Sequence, residues 1–341
     1  MRKKILSVLG ILGFAGLIFG VYRNSSVEET DTSISKTGFY FDTVIKITLY
    51  DSDDADYLDG CFALADKYEN LLSATIETSD VSKINAANGS PVTVSPETAE
   101  LIREGIDYGT LSNGQFDITI GKLSSLWNFS ENPGIVPDAN AITSAVSTID
   151  YHNITVSGNT VTLNDPDAAI DLGGIAKGFI ADKMKAYLNE NGITSGIINL
   201  GGNVLVIGPK EDGSAYRIGI QKPFSDTGTA LATVSISDGT VVSSGVYERY
   251  FEKDGVLYHH LLNPQTGYPY ENDLTGVTII CSRSVDGDGL STTCFSLGLE
   301  DGMKLIESLP DTEAIFITSD GELHTSSGIG TTIPFQVMQE Y

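Results

Sequence analysis

Basic residues are scarce in this chain, which has 20 lysines and arginines against 45 aspartates and glutamates and a formal net charge of −25. Binding to nucleic acid requires an excess of Lys and Arg that neutralises phosphates, so we expect no nucleic-acid partner. A chain of this charge also repels small anionic ligands unless it gathers positive potential in one place. A phosphate site in this chain therefore requires a local group of donors or cations.

Cysteine and histidine are also rare, with three and four copies. The odd, sparse cysteine count does not describe a disulfide scaffold, and without CxxC or HExxH patterns we expect no zinc site. Cys61 lies in a helical pattern and Cys281 ends an apolar strand pattern, so we expect both to be small core residues. A disulfide between Cys281 and Cys294 is the alternative.

The two common phosphate-binding loops are missing as well, since the chain has neither GxxxxGK[ST] nor GxGxxG. It does have DLGGIAKG at residues 171–178, followed by an amphipathic run that ends at Gly192. Paired glycines let the backbone approach a ligand, and the N–H groups of the helix that we expect from residue 179 favour a phosphate. Lys177 adds a cation. The alternative is an ordinary strand–turn–helix junction with a solvated lysine.

The N-terminus has a distinct composition, because three basic residues at positions 2–4 precede an apolar run over 5–22. This pattern predicts a signal peptide or an uncleaved membrane anchor over residues 1–23, with the following body outside the cytoplasm. A buried N-terminal helix is the alternative. Residues 24–37 are polar and read as a tether. We therefore expect the protein at the cell membrane, with its catalytic body, residues 38–341, on the extracytoplasmic side.

Glycine is abundant, with 36 copies, and short β-type runs alternate with turns over most of the chain. This predicts an α+β fold with largely antiparallel sheets and packed helices. We expect a strand over 39–50 and another over 116–120. Ser95, Pro96 and Glu97 are typical of a helix start, and that helix should end near residue 111.

Two further segments carry residues suited to chemistry. Asp288 and Thr292 stand four residues apart, on one helical face, and offer two oxygen ligands for a hard cation such as Mg²⁺. The alternative role for Asp288 is the N-cap of its helix. His260 stands before the turn of residues 263–267 and suits a general base, although a simple strand and turn also explains that segment.

The order of these segments and their amino-acid sequences resemble those of the ApbE family, the FAD:protein FMN transferases. The matching blocks, which run from about residue 39 to the C-terminus, are FYFDTVIKITLYD, GQFDITIG, DLGGIAKGFIAD, NLGGNV, RIGIQKP, SSGVYERYF, HHLLNPQTGYP and the D-x-x-x-T helix. The resemblance implies an ApbE-like, T-fold-like body. It also implies an enzyme that uses Mg²⁺ to transfer FMN from FAD to a Ser or Thr hydroxyl of an exported acceptor protein and releases AMP.

Carried over by motif, the resemblance assigns three groups of residues. The metal ligands would be Asp288, Thr292 and the main-chain oxygen of Gly174, and His260 would activate the acceptor hydroxyl. The flavin contacts would come from Phe41, Thr75, Gln115, Phe116, Asp117, Asp171, Lys177 and Leu262. Ser291 stands where some members have a further Asp, which leaves the number of metal ions open.

Two alternatives to the transferase stay open at this stage. The same site fits a hydrolase that cuts FAD to FMN and AMP, and a non-catalytic flavin-binding protein needs neither the Asp288 pair nor His260. The chain has no D-x-x-[ST]-G-A-[ST] segment of the acceptor type. A transferase of this kind would therefore act on a separate protein.

Overall fold

The computed structural model of the protein describes residues 33–131 and 134–338. The predicted signal or anchor over residues 1–23 and most of the predicted tether lie outside these ranges. None of the helices within the described ranges combines the length and the apolar character that a membrane span requires.

The helices of the described ranges are α1 (Ala55–Leu72), α2 (Asp80–Asn85), α3 (Pro96–Leu111), α4 (Gly121–Trp127), α5 (Ala139–Val146), α6 (Ala176–Glu190) and α7 (Ser284–Ser308). The first nine strands are β1 (Ile34–Tyr40), β2 (Thr43–Leu49), β3 (Val92–Thr93), β4 (Ile154–Ser157), β5 (Thr160–Leu163), β6 (Gly196–Leu200), β7 (Asn203–Ile207), β8 (Tyr216–Gln221) and β9 (Ala230–Ile236). The others are β10 (Gly239–Gly245), β11 (Tyr250–Lys253), β12 (Val256–His259), β13 (Leu274–Cys281), β14 (Glu313–Thr318), β15 (Leu323–Thr325) and β16 (Phe335–Val337).

One eight-stranded sheet organises the body, in the order β1-β2-β6-β7-β10-β13-β14-β15, and all of its neighbouring strands are antiparallel. Three smaller sheets, β16-β9-β8, β3-β5-β4 and β11-β12, are antiparallel too. The expectation of an α+β fold with largely antiparallel sheets is confirmed.

The large sheet is buried on both faces, as strand β7 illustrates. Its residues Leu205 and Ile207 join the core built with helices α1, α6 and α7, whereas Val204 and Val206 join the core shared with β8 and β9. Successive side chains of a strand point to opposite faces, so both faces of this strand must be apolar. A third cluster around Trp127 supports the β11–β12 hairpin, which leads directly into His260.

The segment 39–50, predicted as one strand, is a hairpin. Strand β1 begins at Ile34, inside the predicted tether, and Tyr40 pairs with Thr43 across a two-residue turn. Phe41 and Asp42 form this turn with φ angles of 55° and 56°. Such turns require positive φ at both central residues and are usually marked by Asn-Gly or a similar pair. The prediction was wrong because Phe-Asp lacks that mark.

Other local predictions had mixed outcomes. Helix α3 spans Pro96–Leu111, and the Ser95 hydroxyl accepts the N–H of Thr98, as the sequence predicted. The segment 116–120 is not a strand; only Ile120 makes an isolated bridge, to Ala169. All three cysteines are buried and free, so the core interpretation is confirmed and the alternative, a Cys281–Cys294 disulfide, is ruled out.

Helix α7 begins at Ser284, so Asp288 lies inside the helix and the prediction that it is the N-cap was wrong. The N–H groups of Ser284 and Val285 donate to the two carboxylate oxygens of Asp182, at 2.8 and 3.0 Å. Asp182 belongs to α6, so the cap of α7 comes from a neighbouring helix. Asp288 is therefore available for another role.

Helices α6 and α7 cross closely because Gly178 has no side chain. A Cβ atom at Gly178 would lie 2.2 Å from the carbonyl oxygen of Ser284, which is backbone and cannot rotate away. The sequence placed the start of α6 at residue 179, but the helix begins at Ala176. Gly178 is thus the third residue of the helix, at the point of contact with the first turn of α7.

We expect Gly178→Ala to force the two helices apart and to lower the free energy of unfolding by at least about 1–3 kcal/mol, the usual cost of overpacking. Chemical denaturation of the variant and the wild type measures this loss. The control is Gly219→Ala on strand β8, where a new Cβ would meet only the Cβ of Ala230 at 3.4 Å. Equal stability of the Gly178 variant and the wild type would contradict the close crossing.

Candidate active site

The α6–α7 crossing brings the predicted metal ligand Asp288 to the start of the helix that follows the glycine pair. The carboxylate of Asp288 is 5% exposed, and its Oδ2 atom accepts the Gly178 N–H at 2.5 Å. Its Oδ1 atom accepts the side-chain amide of Asn203 at 2.9 Å. Burial raises the pKa of Asp288, while Lys177, Asn203 and the Gly178 N–H act in the opposite direction. The two predicted motifs therefore meet in space.

This contact changes the hydrogen bonding of the glycine pair. In a regular helix the Gly178 N–H would donate to the carbonyl of Gly174, four residues earlier. Here it donates to Asp288, and within the described chain no hydrogen bond reaches the Gly174 carbonyl oxygen. The ring of Phe116 lies against Gly174, 3.1 Å from where a Cβ would stand. The Gly174 carbonyl, one turn from the Asp288 contact, is thus a free acceptor.

The donor set of this place suits a hard cation. Asp288 supplies a carboxylate and Gly174 a free carbonyl. The half-buried Thr292, one turn after Asp288 on α7, supplies a hydroxyl whose nearest partner, the hydroxyl of Ser244, is 3.4 Å away. Oxygen ligands of these types are the ones that Mg²⁺ takes, usually with several waters and substrate phosphates. Across the two described ranges no group of three or more His, Cys, Asp or Glu side chains could hold a metal.

Positive charge gathers beside Asp288. Lys177 is half-buried at the start of α6, and in the part of the chain that the structure describes its amine makes no ion pair or hydrogen bond. Glu248 is exposed as a whole residue, but burial of its carboxylate raises its pKa, against the effect of Lys177 and Arg249. Two cations, Lys177 and Arg249, therefore act at this place beside the carboxylates of Glu248 and Asp288.

His260 completes this group, which we call the crossing site: Lys177, Glu248, His260, Asp288 and Thr292. Burial, together with the positive charges of Arg249 and Lys177, lowers the pKa of His260 to about 3. Its Nδ1 atom is buried and has no hydrogen-bond partner among the described residues. The imidazole is neutral at physiological pH, as a general base must be.

The predicted flavin residues near the crossing site are already tied into the protein. Asp171 accepts the Ser124 hydroxyl at 2.7 Å and the Gly173 N–H at 2.8 Å. Gln115 accepts the Tyr270 hydroxyl through its main-chain oxygen at 2.6 Å. These bonds fix the backbone on both sides of the Phe116–Gly174 contact.

Asp117 has a structural role in this fold. One carboxylate oxygen accepts the N–H and the hydroxyl of Thr119 at 2.8 and 2.6 Å, and the other accepts the Tyr151 N–H at 2.9 Å. A cavity of about 310 Å³ adjoins it, between the loop that contains Gly114 and the turn that contains Gln265. Two segments that the resemblance links to flavin and catalysis meet at this cavity, although none of the crossing-site residues lines it.

The remaining predicted flavin residues lie elsewhere. Phe41 stands at the tip of the β1–β2 hairpin, where its N–H donates to Glu69 at 2.7 Å, and Thr75 is exposed in the loop after α1. Leu262 is buried in the cluster around Trp127. Among the described residues no hydrogen bond joins these three to the crossing site.

Sequence analysis missed three residues at this site, namely Asn203, Glu248 and Arg249. They stand in the blocks NLGGNV and SSGVYERYF. Both blocks carried the resemblance, but no role was assigned to these residues. Asn203 begins strand β7, and Glu248 and Arg249 lie between strands β10 and β11, so their positions depend on long-range strand pairing.

A sequence model of the ApbE family matches residues 41–316. The chain belongs to the ApbE family. Two relatives, each named FAD:protein FMN transferase, come from Klebsiella pneumoniae and Treponema pallidum. The first is 37% identical over 286 residues, 83% of this chain and 88% of the relative. The second is 35% identical over 288 residues, 80% of each chain.

Solved structures of ApbE proteins share the fold. The ApbE protein of Thermotoga maritima superposes with a TM-score of 0.79 at 30% identity, over 86% of this chain and 97% of that one. The flavin transferase ApbE of Vibrio cholerae gives a TM-score of 0.78 at 28% identity with the same coverage. The predicted family, the ApbE-like fold and the assignment to the transferase class of enzymes are confirmed.

The low pKa of His260 predicts a pH effect on stability. Between about pH 6.5, its ordinary value, and about pH 3, the unfolded chain binds a proton on this imidazole that the folded ApbE protein does not. The stability that His260 contributes is therefore present above pH 6.5 and is lost as the pH falls through this window. We expect His260→Gln, which does not titrate, to weaken the loss of unfolding free energy between pH 6.5 and 3.

Urea unfolding at several pH values in this window measures the effect. The control is His324→Gln on strand β15, whose side chain is 39% exposed. A pH dependence of the His260 variant equal to that of the wild type would show that the imidazole is not held neutral.

Proposed function

We propose that this protein transfers FMN from FAD to a Ser or Thr hydroxyl of a separate exported protein, with Mg²⁺ as the cofactor and AMP as the second product. Support comes from the family, from the names of its relatives and from the crossing site. The observation that carries the proposal is the contact of the buried Asp288 carboxylate with the Gly178 N–H in the first turn of α6, with Lys177 on the same turn and the free Gly174 carbonyl just before it in the chain. This arrangement suits a bridging diphosphate.

Different residues have different roles in this proposed reaction. Asp288, Thr292 and the Gly174 carbonyl would hold Mg²⁺, which when bound neutralises charge on the phosphates. Lys177 and the N–H groups at the start of α6 oppose the negative charge that grows on the departing phosphate.

His260 is the proposed general base, which accepts the proton of the acceptor hydroxyl. A Ser or Thr hydroxyl is a weak nucleophile, and the neutral imidazole of His260 can accept its proton as the oxygen attacks. The new bond joins this oxygen to the phosphorus of FMN. The bond between this phosphorus and the bridging oxygen breaks, and AMP leaves with the bridging oxygen. The protein supplies position and charge, which are the main needs of phosphoryl transfer.

We also propose that residues 1–23 hold this protein at the cell membrane, with the body outside the cytoplasm. Support comes from the basic residues 2–4 in front of the apolar run 5–22. This location would bring the enzyme to exported acceptors.

One assay tests the proposed reaction. The full-length protein is mixed with FAD, Mg²⁺ and a purified exported protein that carries a D-x-x-[ST]-G-A-[ST] segment. We expect flavin fluorescence that stays on the denatured acceptor, together with AMP in solution. Free FMN and AMP without labelled acceptor would replace the transferase by a hydrolase, and intact FAD would leave only a flavin carrier.

Two variants separate the proposed roles in this assay. We expect Asp288→Ala to lower Mg²⁺-dependent turnover by at least about 10²-fold, because one electrostatic partner of the transition state is lost. His260→Ala should retain FAD binding and lose transfer, because the base is gone but the diphosphate site remains. His324→Ala serves as the control for loss of a histidine. Normal transfer by either of the first two variants would remove that residue from the mechanism.

A further inference from the structure

Asn203 is the first residue of strand β7 and lies next to Asp288. It is 2% exposed, and both ends of its side-chain amide have partners. The Nδ2 atom donates to Asp288 Oδ1 at 2.9 Å, and the Oδ1 atom accepts the hydroxyl of Ser284 at 2.7 Å. An amide in these surroundings can be satisfied in one orientation only.

The hydroxyl groups behind Asn203 fix that orientation. Thr240 donates its proton to the main-chain oxygen of Val204 at 3.0 Å, so its oxygen has no proton left for Ser284, which lies 3.1 Å away. Ser284 in turn directs its proton to Asn203. Thr240 and Ser284 are both fully buried. Because Ser284 gives its proton to Asn203, the Thr240–Ser284 contact carries no hydrogen bond, and the series that ends on the Asp288 carboxylate runs from Ser284 through the Asn203 amide.

Asp288 consequently faces donors from both directions. Asn203 holds one oxygen and the Gly178 N–H holds the other, and a carboxylate has about four acceptor positions. Two of them stay free for a ligand. The Asp288 side chain cannot rotate without breaking its hydrogen bonds to helix α6 and strand β7. Helix α7 also carries Ser284, so strand β7 and helix α7 are joined twice through Asn203.

We infer that Asn203 is a positioning residue that holds the Asp288 carboxylate in the orientation needed to bind a divalent cation. This inference rests on the proposed function in that it takes Asp288 as a metal ligand. Outer partners of metal ligands typically change metal affinity by about 10- to 100-fold when they are removed.

Mn²⁺ binding to the full-length protein, measured by electron paramagnetic resonance, tests this role. We expect Asn203→Ala to weaken Mn²⁺ binding by about 10- to 100-fold. The isosteric Asn203→Asp, which places a second carboxylate against Asp288, should weaken it at least as much. The matched control is Asn199→Ala on the adjacent strand β6, since among the described residues the Asn199 side chain accepts only the Gly202 N–H in the same hairpin.

A second readout separates positioning from a general structural defect. FAD binding without metal, followed by quenching of flavin fluorescence, should change less than threefold in the Asn203 variants. Should Asn203→Ala fail to fold, Ser284→Ala takes its place, because it leaves Asn203 but removes the donor that fixes its amide, and a several-fold loss of Mn²⁺ affinity is expected. Wild-type affinity in the folded Asn203 variants, or in Ser284→Ala, would overturn the inference.

The failure of this inference is distinguishable from failure of the proposed metal site. Asp288→Ala should abolish Mn²⁺ binding. If the wild type binds no Mn²⁺ at all, both the metal site and the role of Asn203 are wrong. If Asp288→Ala abolishes binding while the Asn203 variants bind normally, only the role of Asn203 is wrong.

Discussion

Helices α6 and α7 are held together by a reciprocal exchange of hydrogen bonds. A carboxylate on each helix accepts backbone N–H groups from the start of the other helix. Asp182 of α6 accepts the first N–H groups of α7, and Asp288 of α7 accepts the N–H of Gly178 in the first turn of α6. Each helix thereby satisfies part of the unpaired start of the other. The exchange works because the backbones touch at Gly178, where any side chain would meet Ser284.

The same exchange supports the proposal that this acidic chain binds a diphosphate. The bond from Gly178 to Asp288 withdraws the usual donor from the Gly174 carbonyl and leaves that oxygen free, four residues before the contact with the buried carboxylate. Lys177 stands on the same turn, and its charge acts on Asp288 and His260 alike. The proposed cation ligand Asp288, the charge of Lys177 and the neutral imidazole of His260 thus act at one helix crossing. The net charge of −25 elsewhere does not prevent it, because electrostatic effects at such a site are local.

Local chemistry decided which predictions succeeded. The Ser95–Pro96 start of α3 could be predicted, because capping depends on adjacent residues. The role of Asp288 as an N-cap could not be corrected from the sequence, since the true cap, Asp182, lies about a hundred residues away along the chain. Asn203 went unrecognised for the same reason: its function appears only when β7 and α7 are packed together. The family motifs located the site but did not explain how it is held.

The most direct test of this account is the position of a cation in a crystal of the full-length protein grown with FAD and Mn²⁺, located by its anomalous scattering. The account predicts one peak about 2.1 Å from oxygen atoms of Asp288, Thr292 and the Gly174 main chain, in contact with the FAD diphosphate. A peak at another place, or a Gly174 carbonyl turned away from an occupied Asp288, would contradict it.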